Sequence, residues 1–357
     1  MKAVAEAAGV SLSTASLVFS GRGPVADTTA ARVRAAARDL GYAGPDPVAS
    51  SLRHGRTGTV AVVVEGRLLH AFRDPFAVAL LDGLAQELDE AATAMLLVAQ
   101  RPEDPASAVG RLALNAVDAV AFALCGPRDN PVVAHLAGRG IPMVGAGAPV
   151  DPRVVQLLVD DRGASAGAAR HLAALGHRRV AHVAMPLSPG AVTGRAGPAE
   201  VAHAAYPDSR DRALGFADVF GARAPLAQAA LPDVAEGAAA ARLLLDVPAD
   251  ERPTAVVAQS DLLAVGVVRA AGALGLRVPA DLSVTGFDGV ELPWFDAVLT
   301  TVVQPAEAKG RRLGAMVLAL ARGEQVADAE LPLSLRVGTT SGPPPGSAAP
   351  PRPGRSG

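Results

Sequence analysis

Uncharged side chains that can hydrogen-bond to DNA bases are grouped near the N-terminus. Ser13, Thr14 and Ser16 share one face of a predicted helix that begins after Ser11, which stands where an N-cap residue belongs. Gly9 ends a shorter helix just before it. A helix-turn-helix places such a polar face in the DNA major groove. An ordinary helical hairpin in an Ala-rich chain would show the same pattern, so this segment alone leaves both interpretations open.

A third helix is needed to hold this face in place. The second helix is predicted to bury Leu12, Ala15 and either Val18 or Phe19. A third helix is predicted over residues 29–40, capped by Asp27 or Thr28. Its apolar face would consist of Ala30, Val33, Ala37 and Leu40. Three short helices in about 42 residues are the minimum that buries a common core, and many DNA-reading heads have this size.

The segment between Tyr42 and Thr59 is rich in proline and glycine, which predicts a linker. Its central run, VASSLR at 48–53, is long enough for one or two helical turns. A free helix this short is marginal in water. We therefore expect it to become helical only against a partner chain or a DNA groove.

From Thr59 onward, buried-strand patterns alternate with amphipathic helix patterns. This alternation predicts parallel sheets covered on both faces, and the strands are too many for one sheet. We therefore predict an α/β body of two doubly wound subdomains, with a ligand site at their interface beyond the carboxyl ends of the strands. Residues 188–209 match neither pattern. The segment 341–357 lacks apolar content and is expected to be disordered.

Composition narrows the class of protein. Residues 1–58 hold seven basic and four acidic side chains, so this part carries +3 and the rest of the chain, whose total is −2, carries −5. A basic head on an acidic body is typical of a phosphate-contacting module attached to another domain. The single cysteine, Cys125, excludes an internal disulfide and a cysteine-based zinc cluster. With no membrane span and no signal peptide, the chain is expected to be cytoplasmic.

Motifs in both parts of the chain resemble the LacI/GalR family of repressors. In the head they are VAEAAGVSLSTAS, VADTTAARVRAAARDLGY and PDPVASSLR. In the body they include DPF at 74–76, HLAALGHRRVAHV at 171–183, RALGF at 212–216, SDLLAVG at 260–266, RVPADLSVTGFD at 277–288 and LTTVVQP at 299–305. No single motif is decisive, but their order and near-family spacing make the resemblance specific and extend it over nearly the whole ordered chain.

The resemblance implies a fold and a domain division. It implies a helix-turn-helix head (1–44), a hinge (45–58) and an effector-binding and dimerisation body (59–340) of the periplasmic binding protein-like type I fold. The chain would cross between the two subdomains near 159–161, 302 and 330.

The resemblance also implies a dimer that binds a near-palindromic DNA operator and is controlled by a sugar-like effector, with no cofactor and no metal. In the family the hinge becomes a helix on the operator, and a leucine at the position of Leu52 wedges into the minor groove. The expected DNA contacts are Ser11, Leu12, Ser13, Thr14, Ser16, Leu17, Val48, Ala49 and Leu52. The expected effector contacts are Asp74, Phe76, Asp160, Arg212, Ser260, Asp261, Asp288 and Gln304. A guanidinium at Arg212 and a carboxylate at Asp288 both suit the hydroxyls of a small polyol.

Several positions depart from the family pattern. Leu17 stands where a polar base reader is frequent, and Ala3 replaces the usual Asp, so the operator preference is open. Gly147 and Ala123 stand where polar pocket residues are common, which indicates an effector that is smaller or less polar than a hexose, or none. Met1 begins a few residues later than in typical members, which leaves an upstream start codon open.

Two functions other than that of an effector-controlled repressor compete with this interpretation. A solute-binding protein would share the body fold, but a head and a hinge occupy the place of its signal peptide. An enzyme is disfavoured because the sequence has no GxGxxG after the first strand, no P-loop and no HExxH motif. His171 and His177 match structural histidines of the family.

Overall fold

The computed structural model describes residues 1–20, 23–44, 56–101, 103–104, 106–124 and 126–346. The chain divides into two compact units, residues 1–58 and 59–357.

The first unit is a bundle of three short helices. They are α1 (Lys2–Ala7), α2 (Leu12–Ser20) and α3 (Asp27–Asp39). Small and β-branched side chains from all three, among them Val4, Ala15 and Val33, form its core. Helix α3 begins two residues before the predicted start. Its N-cap is Ala26, which has no capping side chain, so the expected cap at Asp27 or Thr28 is wrong.

Leu40 was expected in this core but is exposed. It follows the last residue of α3 as the C-cap, so the helical spacing that would turn it inward ends before it. Tyr42 packs against the core instead, with its ring centroid 5.5 Å from that of Phe19. The last apolar contact of the bundle therefore comes from the chain after the helix.

The second unit contains two sheets with helices on both faces. The first sheet has the strand order β12-β5-β4-β3-β1-β2 and the second has β13-β11-β10-β9-β6-β8-β7. The strands are β1 (Thr59–Glu65), β2 (Ala94–Gln100), β3 (Ala119–Phe122), β4 (Met143–Gly145), β5 (Val154–Leu158), β6 (Val180–Ala184), β7 (Gly194–Ala196), β8 (Leu226–Gln228), β9 (Ala255–Ala258), β10 (Ser283–Asp288), β11 (Thr300–Val303), β12 (Ala329–Glu330) and β13 (Ser334–Arg336). The helices are α4 (Leu68–Ala71), α5 (Pro75–Glu90), α6 (Ala106–Ala113), α7 (Pro131–Gly138), α8 (Asp161–Ala174), α9 (Pro198–Ala202), α10 (Pro207–Phe220), α11 (Val234–Leu245), α12 (Asp261–Ala273) and α13 (Ala306–Ala321).

The predicted α/β class with parallel sheets is confirmed. Strands β7 and β13 are exceptions, since each pairs antiparallel with its neighbour at an edge of the second sheet. An edge strand needs no crossover helix to reach its place, so it can run either way. The unassigned segment 188–209 contains β7, α9 and the start of α10, all too short for a periodic pattern to show.

The chain passes from the first sheet to the second after β5, returns after β11, and passes again after β12. Three segments therefore connect the two subdomains. Helix α13 lies late in the chain but packs in the core of the first subdomain, where Leu313, Met316 and Val317 are buried beside α5 and the first sheet.

Glycines allow helices to approach closely at two points. A Cβ on Gly310 would lie 1.9 Å from the carbonyl oxygen of Leu80, where α13 crosses α5. A Cβ on Gly215 would lie 2.1 Å from the carbonyl oxygen of Arg162, where α10 crosses α8. Neither contact admits a side chain at this separation, so these glycines set the helix spacing.

The expectation of disorder from Ser341 onward is wrong for its first residues. The hydroxyl of Ser341 lies 2.9 Å from Nε2 of His171, and the carbonyl of Gly342 lies 2.8 Å from Nε2 of His177. Polar partners hold this stretch although it lacks apolar side chains. Residues 347–357 lie outside the described part of the chain.

Candidate functional site

Local hydrogen bonds at Ser11 fix the start of helix α2. Its hydroxyl accepts a bond from the backbone N–H of Thr14 at 3.1 Å, and its carbonyl accepts one from Ala15 at 3.0 Å. The same hydroxyl lies 2.8 Å from the hydroxyls of Ser13 and Thr14. Ser11 is thus the N-cap that the sequence predicted, and three hydroxyls are grouped at the first turn.

The outer face of α2 carries the side chains expected to read DNA. Ser13 is exposed, and Thr14 and Ser16 are half-buried. Leu17 is 38% exposed and Leu12 is 53% exposed. The prediction that Leu12 joins the core is wrong: it is the first residue of α2 and lies outside the core that contains Ala15 and Val18. Val48, Ala49 and Leu52 lie outside the described residues.

In the body, Arg212 is the centre of the candidate effector site. Its side chain is only 4% exposed. Nε donates to Oδ1 of Asp161 at 2.7 Å, and Nη1 donates to the carbonyl of Gln259 at 2.6 Å. The guanidinium lies over the ring of Phe287, 3.7 Å from its centroid. These contacts hold a fork of donors at the carboxyl ends of β9 and β10.

Asp288 ends β10 with a φ of 119°, a backbone conformation that non-glycine residues rarely adopt. Such strain clusters at binding sites, where the surrounding structure holds it. Its Oδ1 lies 4.0 Å from Nη1 of Arg212 and accepts a bond from the Gln304 amide at 3.0 Å. Burial raises the pKa of Asp288 well above its usual value, although Arg212 opposes the shift.

Gln304 and Lys309 link this cluster to the other subdomain. The carbonyl oxygen of the Gln304 side chain accepts a bond from Nζ of Lys309 at 3.4 Å. Lys309 is buried in α13, and its Nζ lies 5.8 Å from the centroid of the Phe76 ring. Polar contacts therefore run from Arg212 through Asp288 and Gln304 to Lys309, and connect the two sides of the cleft.

Asp74 begins α5 on the first-subdomain side. Its carboxylate accepts a bond from the N–H of Phe76 at 2.9 Å, which caps the helix. Burial raises the pKa of Asp74, and its charge in turn raises the pKa of Asp288. The structure thus brings Asp74, Phe76, Arg212, Asp288 and Gln304 to one cleft.

Three other expected site residues have structural partners. Asp160 is exposed and caps α8 through the N–H of Gly163 at 2.8 Å. The Ser260 hydroxyl caps α12 through the N–H of Leu263 at 3.2 Å. The oxygens of Asp261 accept bonds from the Thr301 hydroxyl at 2.5 Å and from the N–H of Val290 at 2.9 Å.

Asp261 is fully buried, and burial raises its pKa to about 6. A Cβ on Gly286 would lie only 2.2 Å from its Oδ1, so the carboxylate fills the space beneath β10. Through these contacts Asp261 stabilises the carboxyl ends of the strands.

The structure adds cleft residues that sequence reasoning passed over. Asp161, not Asp160, pairs with Arg212. Glu65, at the end of β1, accepts a bond from the Tyr206 hydroxyl at 3.2 Å across the cleft, and burial raises the pKa of Glu65 to about 7. Asp208 lies one helical turn before Arg212. The sequence does contain a signal for Glu65, since it is a polar residue at the end of a predicted strand, where ligand sites of such folds lie.

Gln259 supports Arg212 from beneath. Its backbone carbonyl accepts from Arg212, and its side-chain amide donates to the backbone carbonyl of Ser209 at 2.9 Å. Its amide nitrogen also lies 2.9 Å from Nε2 of His182, whose ring stacks on Phe216 with centroids 4.7 Å apart. Burial lowers the pKa of His182 to about 3, so the ring is neutral at pH 7.

The two positions where the sequence lacks a polar pocket residue have local causes. Gly147 has a φ of 92°, which favours glycine over an acidic side chain. Ala123 is fully buried in the core of the first subdomain.

Within the described ranges, no three His, Cys, Asp or Glu side chains are grouped to hold a metal ion. No described helix is long and apolar enough to cross a lipid bilayer.

Residues 1–44 match the family of bacterial regulatory proteins named for lacI, and residues 169–341 match a periplasmic binding protein-like domain. An HTH-type transcriptional regulator of Mycolicibacterium smegmatis is 36% identical over 303 residues, which cover 79% of this chain and 80% of that protein. The HTH-type transcriptional regulator IpsA of Corynebacterium glutamicum is 31% identical over 96% of this chain and 97% of its own length. The structure of a complex between the transcriptional regulator CelR and cellobiose is similar, with a TM-score of 0.67, 28% identity, and coverage of 95% of this chain and 98% of that one.

Proposed function

The chain belongs to the LacI family of DNA-binding bacterial transcriptional regulators, and we propose that it is a repressor that binds a near-palindromic operator as a dimer under the control of a small polyhydroxylated effector. The family is one of regulators and not of enzymes, as the sequence predicted. A regulator of this kind acts where the chromosome is, in the cytoplasm. The observation that carries the effector part of the proposal is the buried Arg212, held between Asp161 and Asp288 at the strand ends.

The hydroxyl groups on the outer face of α2 support the DNA-binding part. Ser13, Thr14 and Ser16 offer donors and acceptors that suit base edges and phosphates alike. Exposed apolar side chains at Leu12 and Leu17 suit the methyl groups of thymine. A dimer repeats this face twice, so its preferred site is a pair of inverted half-sites about one helical turn apart. Ser11 completes this surface as the cap of α2. Val48, Ala49 and Leu52 remain the proposed hinge contacts.

The cleft supports the effector part. Arg212 supplies a fixed fork of donors, and the carboxylate of Asp288 accepts from hydroxyl groups. Gln304, in the segment after β11, borders the same space, as do Asp74 and Phe76 of the first subdomain. Asp160, Ser260 and Asp261 contribute to the effector site indirectly. Asp160 and Ser260 cap the helices that border it, and Asp261 bonds to Thr301 at the strand ends. The likeness to a regulator solved with cellobiose supports a sugar-like ligand.

Regulation requires that the effector favours one arrangement of the subdomains over the other. The polar contacts from Arg212 to Lys309 join elements of both subdomains, so a ligand that inserts among them changes the free energy of closure. That change in closure would alter the spacing of the paired hinges on DNA.

The test is a gel shift with DNA from upstream of the chain's own gene and with scrambled DNA of equal length. We expect selective binding that weakens steeply as salt rises, because released counterions drive association. Equal affinity for both DNAs would refute operator recognition.

Leu52→Ala should weaken operator binding without unfolding the body, and unchanged affinity in that variant would refute the hinge contact.

Thermal-shift screening of sugars and nucleobases tests the effector part. A ligand at 100 times its Kd stabilises the body by about 2.7 kcal/mol. A compound that stabilises the body should also change the operator affinity. A solute-binding protein would instead bind its ligand with no effect on DNA.

A further inference from the structure

Asp208 is partly exposed as a residue, but the two oxygens of its carboxylate are buried. It lies in the first turn of α10, one helical turn before Arg212, so both residues share one face of the helix. Both carboxylate oxygens are buried, and neither has a hydrogen-bond partner in the described part of the chain. Most buried polar groups have partners, so such an exception calls for a physical reason.

Arg212 donates no hydrogen bond to Asp208. Its nitrogens donate to Asp161 and to the carbonyl of Gln259. Asp208 nevertheless lies close enough to Asp161 that its charge raises the pKa of that carboxyl. A buried carboxylate without a donor is strongly unfavourable, and the neighbouring Asp161 adds repulsion.

Carboxylates outnumber cations in this part of the cleft. The interacting acidic groups are Asp74, Asp161, Asp208, Asp261 and Asp288. The cations whose charges act on them are Arg212, Lys309 and Arg336. Hydroxyl groups of a neutral sugar can donate to these carboxylates, but they leave the charge imbalance in place. A protonated amine supplies both donors and charge.

We propose that the effector is a polyol that carries a protonated amine, such as an amino sugar or aminocyclitol, with the ammonium group on Asp208 beside Asp161 and the hydroxyls on Arg212 and Asp288. This inference rests on the proposed effector site and specifies the class of ligand that it takes. Asp208 selects against neutral sugars, because a neutral ligand can donate hydrogen bonds to that buried carboxylate but leaves its charge uncompensated.

The first test needs no ligand. Asp208→Asn removes an uncompensated charge, so the melting temperature of the free protein should rise by about 2–4 °C. The matched control is Asp211→Asn in the same helix, whose carboxylate already pairs with Arg210 at the surface, and it should leave the melting temperature unchanged. An unchanged or lower melting temperature for Asp208→Asn would overturn the proposal, because it would show that Asp208 supports the fold.

The second test compares matched probes by calorimetry: glucosamine with glucose, galactosamine with galactose, and each amine with its N-acetyl form. We expect at least one amine to bind about tenfold or more tightly than its neutral partners, and this ratio to fall towards one in Asp208→Asn. Equal or tighter binding of the neutral member in every pair that binds would overturn the inference. If neither kind of probe binds, the melting comparison alone decides.

The two proposals fail differently. A neutral sugar that binds and alters operator affinity would uphold the effector-controlled regulator and overturn the amine. An amine that binds through Asp208 without altering operator affinity would uphold the ligand class and refute its regulatory role.

Discussion

The hydroxyl of Tyr206 donates to Oε1 of Glu65 at 3.2 Å and so joins the start of α10 to the end of β1 across the cleft. The two residues belong to different subdomains and are separated by 141 positions in the chain. This contact favours the closed arrangement, in which Glu65 is largely withdrawn from water.

Tyr206→Phe should open the cleft. Loss of a hydrogen bond of this kind costs about 1 kcal/mol, which lowers the ratio of closed to open protein roughly fivefold. Small-angle scattering of the free protein should show a larger radius of gyration. Tyr42→Phe is the matched control, since Tyr42 packs its ring against Phe19 in the head. An identical scattering profile for Tyr206→Phe and the parent would show that the contact does not control closure.

Glu65 should make the body less stable as the pH rises from about 4.5 to 7. Burial raises the pKa of Glu65 from 4.5 to about 7, so over this range the folded state keeps a proton that the unfolded chain has lost. The contribution of Glu65 to the free energy of unfolding therefore decreases as the pH rises and levels off above pH 7. The raised pKa values of the cleft aspartates act in the same direction, whereas the lowered pKa of His182 acts in the opposite direction. The test is therefore a comparison of Glu65→Gln with the parent by denaturant titration at several pH values. The slope of the free energy of unfolding against pH should be more positive in Glu65→Gln, and an unchanged slope would contradict the assignment.

Arg212→Ala should destabilise the body strongly. Removing one member of a buried ion pair leaves the other charge unpaired, at a cost of about 3–5 kcal/mol. Arg162→Ala is a matched control, because Arg162 pairs with Asp218 between the same two helices but at the surface, where little stability is expected from the pair. Chemical denaturation of both variants gives the comparison. Equal losses would mean that burial does not distinguish the two pairs.

Gly215→Ala should push α10 away from α8. The added Cβ would meet the carbonyl of Arg162, and overpacking of this kind typically costs about 1–3 kcal/mol. Because Arg212 and Asp161 lie on these two helices, effector binding should weaken as well. Gly167→Ala is the control: a Cβ there meets no atom within 4 Å, and the change should be neutral or stabilise by about 0.4–1 kcal/mol. A Gly215→Ala variant as stable as the parent would refute the proposed helix spacing.

Ser11→Ala should loosen the start of α2. The hydroxyl caps this helix, and such caps contribute about 1 kcal/mol. Hydrogen exchange in the full chain should become faster at the first amides of α2. Ser13→Ala removes the hydroxyl 2.8 Å from that of Ser11 but leaves the bond from the Thr14 N–H to Ser11, so exchange should change less than in Ser11→Ala while operator binding weakens. Equal exchange rates in both variants would argue against the capping role.

The sequence alone determined most of the fold. The alternation of buried-strand and amphipathic-helix patterns predicted two parallel sheets covered by helices, because both patterns are local. Short edge elements such as β7, β12 and α9 escaped, since two to five residues carry too little periodicity. Leu40 was misplaced because spacing does not reveal where a helix ends.

For the site, family motifs identified Arg212 and Asp288, which the tertiary structure brings to within 4.0 Å of each other. Only the tertiary structure decided that Asp161 and not Asp160 meets Arg212, that Asp261 is engaged with Thr301 and Val290, and that Tyr206 reaches Glu65. Sequence patterns and spacing predict which elements form and which residue types they carry. Partners that are 50 to 140 positions apart are chosen by the packing of helices on sheets, and no local feature of the sequence contains that information.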